Sequence, residues 1–214
     1  WLLWIMFAGI ALYTLAFLNG FGGETIPKNR TKEQYEFEKT FEPMFKFLEQ
    51  EQKDFTGLKL YKNSIYIESG NVVKDYEVFL DTSQSDIKGD YTIKIGDNKE
   101  TVPVTYSNGR LQYESKLEPL FDEEILNLVV QRDYFASLNI KETFKSAETE
   151  LSDIIYQPEN HSDLYKYLKN KYDMPEDTTC RIILDYSSGT IYGISILMES
   201  KDEAVQIDLT IFKQ

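Results

Sequence analysis

The stretch Tyr91–Glu114, YTIKIGDNKETVPVTYSNGRLQYE, predicts three short strands joined by two tight turns. Asn108-Gly109 lies between two alternating segments, and this dipeptide is the strongest short-range signal for a β-hairpin. Pro103 has no amide hydrogen to donate, so its strand is expected at a sheet edge or with that position turned outward. The alternation places three side chains on one expected inner face: Val102, Val104 and Tyr106.

The same two-residue period continues on both sides of this stretch. Leu58–Glu68 and Val72–Leu80 predict a hairpin around Ser69–Asn71. Three further strands are expected near the C-terminal end: Cys180–Tyr186, Ile191–Met198 and Ala204–Phe212. The last of them is predicted to point four side chains inward: Val205, Ile207, Leu209 and Ile211.

Helical spacing appears in two regions. Thr31 followed by Gln34 is a capping-box pattern, and the helix it starts is expected to kink or restart at Pro43 with Thr40 as the new cap. The middle of the chain predicts three helices: one after Asp122, one through Ile140–Ile155, and one from Ser162 or Asp163 to Pro175.

These elements together predict an α+β fold, in which an antiparallel sheet (or sheets) of hairpins has helices packed on one face. One N-terminal transmembrane helix is expected to precede it. Trp1–Leu18, WLLWIMFAGIALYTLAFL, has no charged residue and could span roughly 27 Å as a helix, close to the thickness of a bilayer core. The expected organisation is an anchor at 1–18, a linker at 19–30 and an extracytoplasmic α+β binding domain at 31–214.

An uncleaved anchor fits this segment better than a cleaved signal peptide, although the sequence leaves both open. Eighteen apolar residues exceed the usual apolar core of a signal peptide, and an Ala-x-Ala cleavage site is absent. Gly20 and Gly22 could still serve as small residues for cleavage. Either way, a basic flank before Trp1 would place the domain on the outer side of the cell membrane, attached by a single pass.

The charge balance bears on the partner. Asp and Glu number 36 against 23 Lys and Arg, a formal net charge of −13. Such a surface repels nucleic acid and anionic lipid, and its natural complement is a basic protein. The alternative is that a cell-surface domain is acidic only for solubility. The single Cys180 excludes an internal disulfide, which is typical of Gram-positive rather than animal secreted domains.

Catalytic signatures are scarce. His161 precedes a helix in a loop, and Cys180 begins an apolar strand, so the expectation is that the chain is not an enzyme. No cofactor and no metal are expected, since Asp81–Asp90 matches a calcium loop only loosely and lacks the terminal Glu. Fifteen Tyr and thirteen Phe suit core packing, protein interfaces or stacked sugars, and the sequence leaves these three open. Four tyrosines fall on the inward strand phase: Tyr76, Tyr91, Tyr106 and Tyr113.

CRIILDYSSGTIYGIS, residues 180–195, followed by the alternating final strand, resembles the TipC-type immunity proteins of streptococci. The membrane segment, the acidic single domain and the repeated hairpins fit the same layout. The resemblance implies a protein anchored outside the membrane that binds an LXG-type toxin delivered by type VII secretion. That toxin hydrolyses the cell-wall precursor lipid II, and the immunity protein blocks it by stoichiometric binding.

Strand phase alone selects the residues expected to contact the partner. The outward-facing set is Asp75, Glu77, Arg181, Asp185, Gln206 and Asp208. The alternative function is a structural or assembly subunit of a bacterial envelope or secretion complex. In that case Trp1–Leu18 would pack against other membrane helices, with Gly9 and Ala11 allowing close approach.

Overall fold

The computed structural model describes residues 25–45, 58–81, 86–107, 110–113, 132–146, 148, 150–187 and 191–213. Its main feature is one antiparallel sheet of ten strands, in the order β5-β4-β3-β2-β1-β10-β9-β8-β7-β6. The strands are β1 Leu58–Glu68, β2 Asn71–Asp81, β3 Ile87–Ile95, β4 Asn98–Ser107, β5 Arg110–Gln112, β6 Asn139–Lys145, β7 Leu151–Gln157, β8 Thr179–Ser187, β9 Ile191–Glu199 and β10 Glu203–Lys213. The helices are α1 Lys32–Glu38, a 3-10 turn at Lys39–Phe41, α2 Arg132–Ser137 and α3 Asp163–Lys171.

The sheet consists of two meanders that meet at its centre. From β1 the chain winds outward to β5 at one edge, and from β6 at the other edge it winds back to β10. β1 and β10 pair along the whole length of both strands, which closes the centre of the sheet. The strands predicted from alternation and turn residues are thus confirmed, in a single sheet.

Turn chemistry explains the sharp hairpins. Ser69 and Gly70 link β1 to β2 with φ of 49° and 77°, the left-handed pair that a two-residue hairpin turn requires. Pro103 faces Asp90 of β3, while β5 pairs only with Thr105–Ser107 of β4. Among the described residues, no strand lies opposite Pro103 on the β5 side, so this part of β4 is a sheet edge, one of the two placements that the proline predicted.

The inner face of the sheet forms the core. Side chains alternate between buried and half-buried along β7 and β8, and the buried phase is apolar except for Ser152. Helical residues pack against this face: the Phe41 ring lies 6.4 Å from Tyr186, and the Phe135 ring lies 5.0 Å from Tyr156. The inward predictions are confirmed for Val205, Ile207, Leu209, Val102, Val104, Tyr106, Tyr76, Tyr91 and Tyr113, whereas the side chain of Ile211 lies outside the described part.

A buried ion pair fastens the N-terminal helix to the sheet. Arg30 donates from Nε and Nη2 to Glu38, at 3.2 and 3.1 Å, and both side chains are almost fully buried. Arg30 also donates to the carbonyls of Phe135 and Leu138, and the Tyr156 hydroxyl donates to Glu38. These bonds satisfy both charges, so α1 is held against α2 and β7.

The predicted N-terminal caps of two helices are confirmed. The Thr31 hydroxyl accepts from the Gln34 amide while the Gln34 side chain accepts from the Thr31 amide, which completes the predicted capping box. Ser162 caps α3 by accepting from the amide of Tyr165. The predicted interruption near Pro43 is confirmed, because the 3-10 turn separates α1 from helical residues 42–45. Thr40 donates its hydroxyl to the Phe37 carbonyl instead of capping this second stretch.

One predicted helix was wrong. Ile140–Ile155 forms the β6–β7 hairpin, joined where Glu150 has φ of 51°. The buried side chains on the inner face are those of Ser152, Ile154 and Tyr156, so burial repeats every two residues. The apolar residues spaced as in a helix had obscured this strand period. Pairing of β7 with β8 overrides the weak local preference for a helix.

Several expectations fall outside the described residues: the Trp1–Leu18 segment, the linker up to Glu24, the turn residues Asn108-Gly109 and the helix after Asp122. In the part of the chain that the structure describes, no helix has the length and apolarity needed to cross a bilayer.

Candidate partner-binding face

The sheet face opposite the core, called here the outer face, carries all six residues predicted to contact a partner. Strand register places them in adjacent rows. Asp75, Gln206 and Arg181 belong to one row across the sheet, and Glu77 and Asp208 to the next. Asp185 lies in a third row, opposite Gly193. The structure therefore brings together residues that are up to 133 positions apart in the chain.

On the β2–β3 side, the outer face already holds a cation. The Lys94 ammonium donates to Asp75 at 3.0 Å and to Glu77 at 3.2 Å. These bonds raise the pKa of Lys94, the Asp75 contact contributing most. The second carboxylate oxygen of Asp75 is buried without a hydrogen-bond partner.

Three more of the six residues have local partners. Arg181 on β8 pairs with Glu199 on β9 at 2.7 Å, and both side chains remain partly exposed. Gln206 donates to the Asp208 carboxylate at 3.1 and 2.9 Å. An exposed ion pair such as Arg181–Glu199 contributes little to stability, so it leaves Arg181 available for a partner.

Asp185 occupies the most unusual environment on this face. Its carboxylate covers Gly193, where a Cβ would come within 1.9 Å of Oδ2. Burial, then the charges of Asp153 and Asp208, raise the pKa of Asp185 from 3.8 to about 6. Glycine at 193 is therefore what lets the carboxylate lie flat on the sheet.

Asp153 completes this group, and sequence reasoning missed it. It lies directly opposite Asp185, and burial raises its pKa as well. Its Oδ1 is buried without a hydrogen-bond partner. The wrong helix assignment hid Asp153, because only a strand register puts it beside Asp185. The two-residue alternation of side chains from Ser152 to Tyr156 is the sequence signal that could have identified Asp153 as outward-facing.

Apolar side chains surround these carboxylates on the outer face. Ile155 and Ile183 are half-buried in the row of Asp208, and Leu197 is half-buried in the row of Arg181. We call Asp153, Asp185 and Asp208, with Ile155, Ile183 and Leu197, the acidic outer patch. Phe144, 49% exposed, lies beside Asp153 at its margin.

The two candidate catalytic residues lie in different environments. Cys180 is buried in the core, where desolvation raises the pKa of its thiol to about 12, so the reactive thiolate is scarce at neutral pH. His161 is exposed and lies 2.7 Å from Glu159, in the loop before α3. A shallow cleft of about 280 Å³ adjoins this loop, lined by Asn139, Lys141, Gln157, Pro158, Glu159 and Asn160.

Metal binding is not indicated by the part of the chain that the structure describes, because no group of three His, Cys, Asp or Glu side chains there converges on one point. The carboxylates of the acidic outer patch are thus spread along the sheet rather than arranged around an ion. Most of the loosely calcium-like loop after Asp81 lies outside the described residues.

Comparison with protein-family models and with curated proteins gives no match for this chain.

Proposed function

We propose that this chain is a membrane-anchored extracytoplasmic binding protein, an immunity protein that neutralises a secreted, cell-wall-targeting bacterial toxin by stoichiometric binding. It acts by covering the toxin and performs no chemistry of its own. The toxin contacts the outer face, and Trp1–Leu18 holds the protein at the cell membrane where the toxin arrives.

One observation carries this proposal: on its β7–β8 side, the outer face collects carboxylates that have no ion-pair partner among the residues that the structure describes. Asp153 and Asp185 have no ion-pair partner in the described part of the chain, although their raised pKa values report that burial disfavours their charge. Groups that are unfavourable for the isolated protein are typical of functional sites. A basic protein surface would compensate them, and charge complementarity would also speed the encounter.

The experiment has two arms. The full chain serves as bait in an envelope extract of the source bacterium, with bound proteins identified and quantified by mass spectrometry. We expect one basic, toxin-like protein at near-equal amount. Deleting the gene should make cells sensitive to that protein, and re-expression should restore resistance.

An anchor swap separates this function from the assembly alternative. Replacing Trp1–Leu18 by an unrelated single-pass helix should leave resistance intact, because an immunity protein needs only to be tethered. Retention of several membrane-complex subunits, together with loss of function on the swap, would overturn the proposal. Unchanged toxin sensitivity after gene deletion would also contradict it.

A further inference from the structure

The acidic outer patch differs from the other side of the same face in one respect. On β2 and β3, Lys94 lies between Asp75 and Glu77 within hydrogen-bonding distance of both. On β7, β8 and β10, three carboxylates lie in neighbouring rows, and no lysine, arginine or histidine of the described residues pairs with Asp153 or Asp185. Gln206 supplies only neutral hydrogen bonds to Asp208.

The surroundings restrict what could complete the patch. Ile155, Ile183 and Leu197 flank the carboxylates, so an occupant must offer apolar surface beside its charge. The carboxylates do not converge as metal ligands within the described part of the chain. A guanidinium meets both demands, because it is planar, weakly hydrated and donates to several oxygens at once.

We propose that the acidic outer patch is the docking point for an arginine side chain of the protein partner, which enters between Asp153, Asp185 and Asp208 and packs its aliphatic stem on Ile183 and Leu197. This inference rests on the proposed function for the identity of the partner. Its test needs only an arginine compound and is independent of that function. Gly193 is a positioning residue here, since any larger side chain would displace the Asp185 carboxylate.

Protonation then opposes docking. The groups facing Asp185 on this face are Asp153 from β7, Gly193 and Ser195 from β9, and Asp208 and Thr210 from β10. With Asp185 titrating at about 6, a change from pH 7.5 to pH 5 neutralises it and should weaken arginine binding by about tenfold.

The test uses the full chain in zwitterionic detergent at low salt, titrated with N-acetyl-arginine amide and followed by the NMR signal of the Gly193 amide. We expect saturable binding in the millimolar range. The uncharged isostere N-acetyl-citrulline amide should give no saturable shift. Asp153→Asn/Asp185→Asn should weaken binding at least tenfold, while Asp97→Asn, in the exposed turn between β3 and β4, should change it less than twofold.

Other outcomes would overturn the inference. These are equal binding of the arginine and citrulline compounds, an equal loss of binding in Asp97→Asn, or no saturable shift at Gly193. The dispersion of amide signals shows directly whether each variant is folded, and single Asp153→Asn and Asp185→Asn variants replace the double one if it is not. A positive titration with an empty pull-down would reject the toxin partner and keep the docking point. Capture of a toxin without saturable binding of N-acetyl-arginine amide would support the toxin partner and reject the docking point.

Discussion

At the residue scale, the outer face is defined by a few side chains whose environment works against their charge. Asp185 lies on Gly193 and faces Asp153 across the β7–β8 pair. Both carboxylates lose hydration, and no cation of the described residues pairs with them, which costs stability in the isolated domain. This cost would be offset if a protein partner supplied a positive charge to the two carboxylates.

Asp185→Asn should stabilise the isolated protein above pH 6. In the folded chain the Asp185 pKa is raised to about 6, above its unfolded value of 3.8, so the folded state binds the extra proton between these values and stability falls as pH rises through that window. After allowing for solvent screening of a half-exposed group, we expect a gain of about 1 kcal/mol at pH 7.5.

Urea denaturation at pH 7.5 and at pH 4 measures this effect, and the gain should vanish at pH 4, where Asp185 is protonated in the folded protein. Glu199→Gln, in an exposed pair on the same face, is the matched control and should change stability by less than about 0.5 kcal/mol at either pH. A loss of stability at pH 7.5 in Asp185→Asn would contradict the assigned environment.

Arg30→Met should destabilise strongly, because it leaves the buried Glu38 charge with fewer partners. We expect a loss of about 3–5 kcal/mol in denaturant unfolding. Lys94→Met removes a comparably bonded but exposed cation and should cost less than about 1 kcal/mol. The double variant Arg30→Met/Glu38→Met should recover part of the loss, and equal losses in Arg30→Met and Lys94→Met would disprove the role of burial.

At the element scale, strands were easier to predict than the helices between them. Tight turns at Ser69-Gly70 and Gly96-Asp97 leave strong local signatures, and both hairpins form where expected. The β6–β7 hairpin lacks such a signature, because its longer connection contains Ser146 and Glu150 in place of Asn-Gly. Its identity depends on pairing with β8, which local sequence does not encode.

The end of α3 offers a stabilising change. Asp173 has φ of 51° directly after the helix, and the Met174 amide donates to the Lys169 carbonyl at 2.9 Å, the geometry of a Schellman cap. Asp173→Gly should stabilise by about 0.5–1 kcal/mol because glycine adopts this conformation without strain.

Thermal unfolding checks this prediction, and Lys166→Gly is its control. Lys166 is exposed inside α3, where glycine should cost about 1 kcal/mol. The two glycine substitutions should therefore shift the midpoint in opposite directions. A lower midpoint for Asp173→Gly would contradict the left-handed cap.

At the scale of the whole molecule, the sequence predicted an antiparallel sheet of hairpins but not the order of its strands. Local hairpins follow from alternation and turns. The pairing of β1 with β10 joins segments that are far apart in the chain, and it is fixed only by burial of the shared inner face. The six outward residues were predicted from phase alone, yet their collection on one face depends on that central pairing.

The claim that the outer face binds a basic partner is tested most directly by comparing two charge variants of the full chain in the quantitative pull-down. One carries Asp153→Asn and Asp185→Asn on the outer face. The other carries Glu36→Gln and Glu148→Gln, two exposed carboxylates off the patch, so that net charge changes equally. We predict that only the outer-face variant loses the partner, by at least tenfold. Equal retention by both variants would contradict the account.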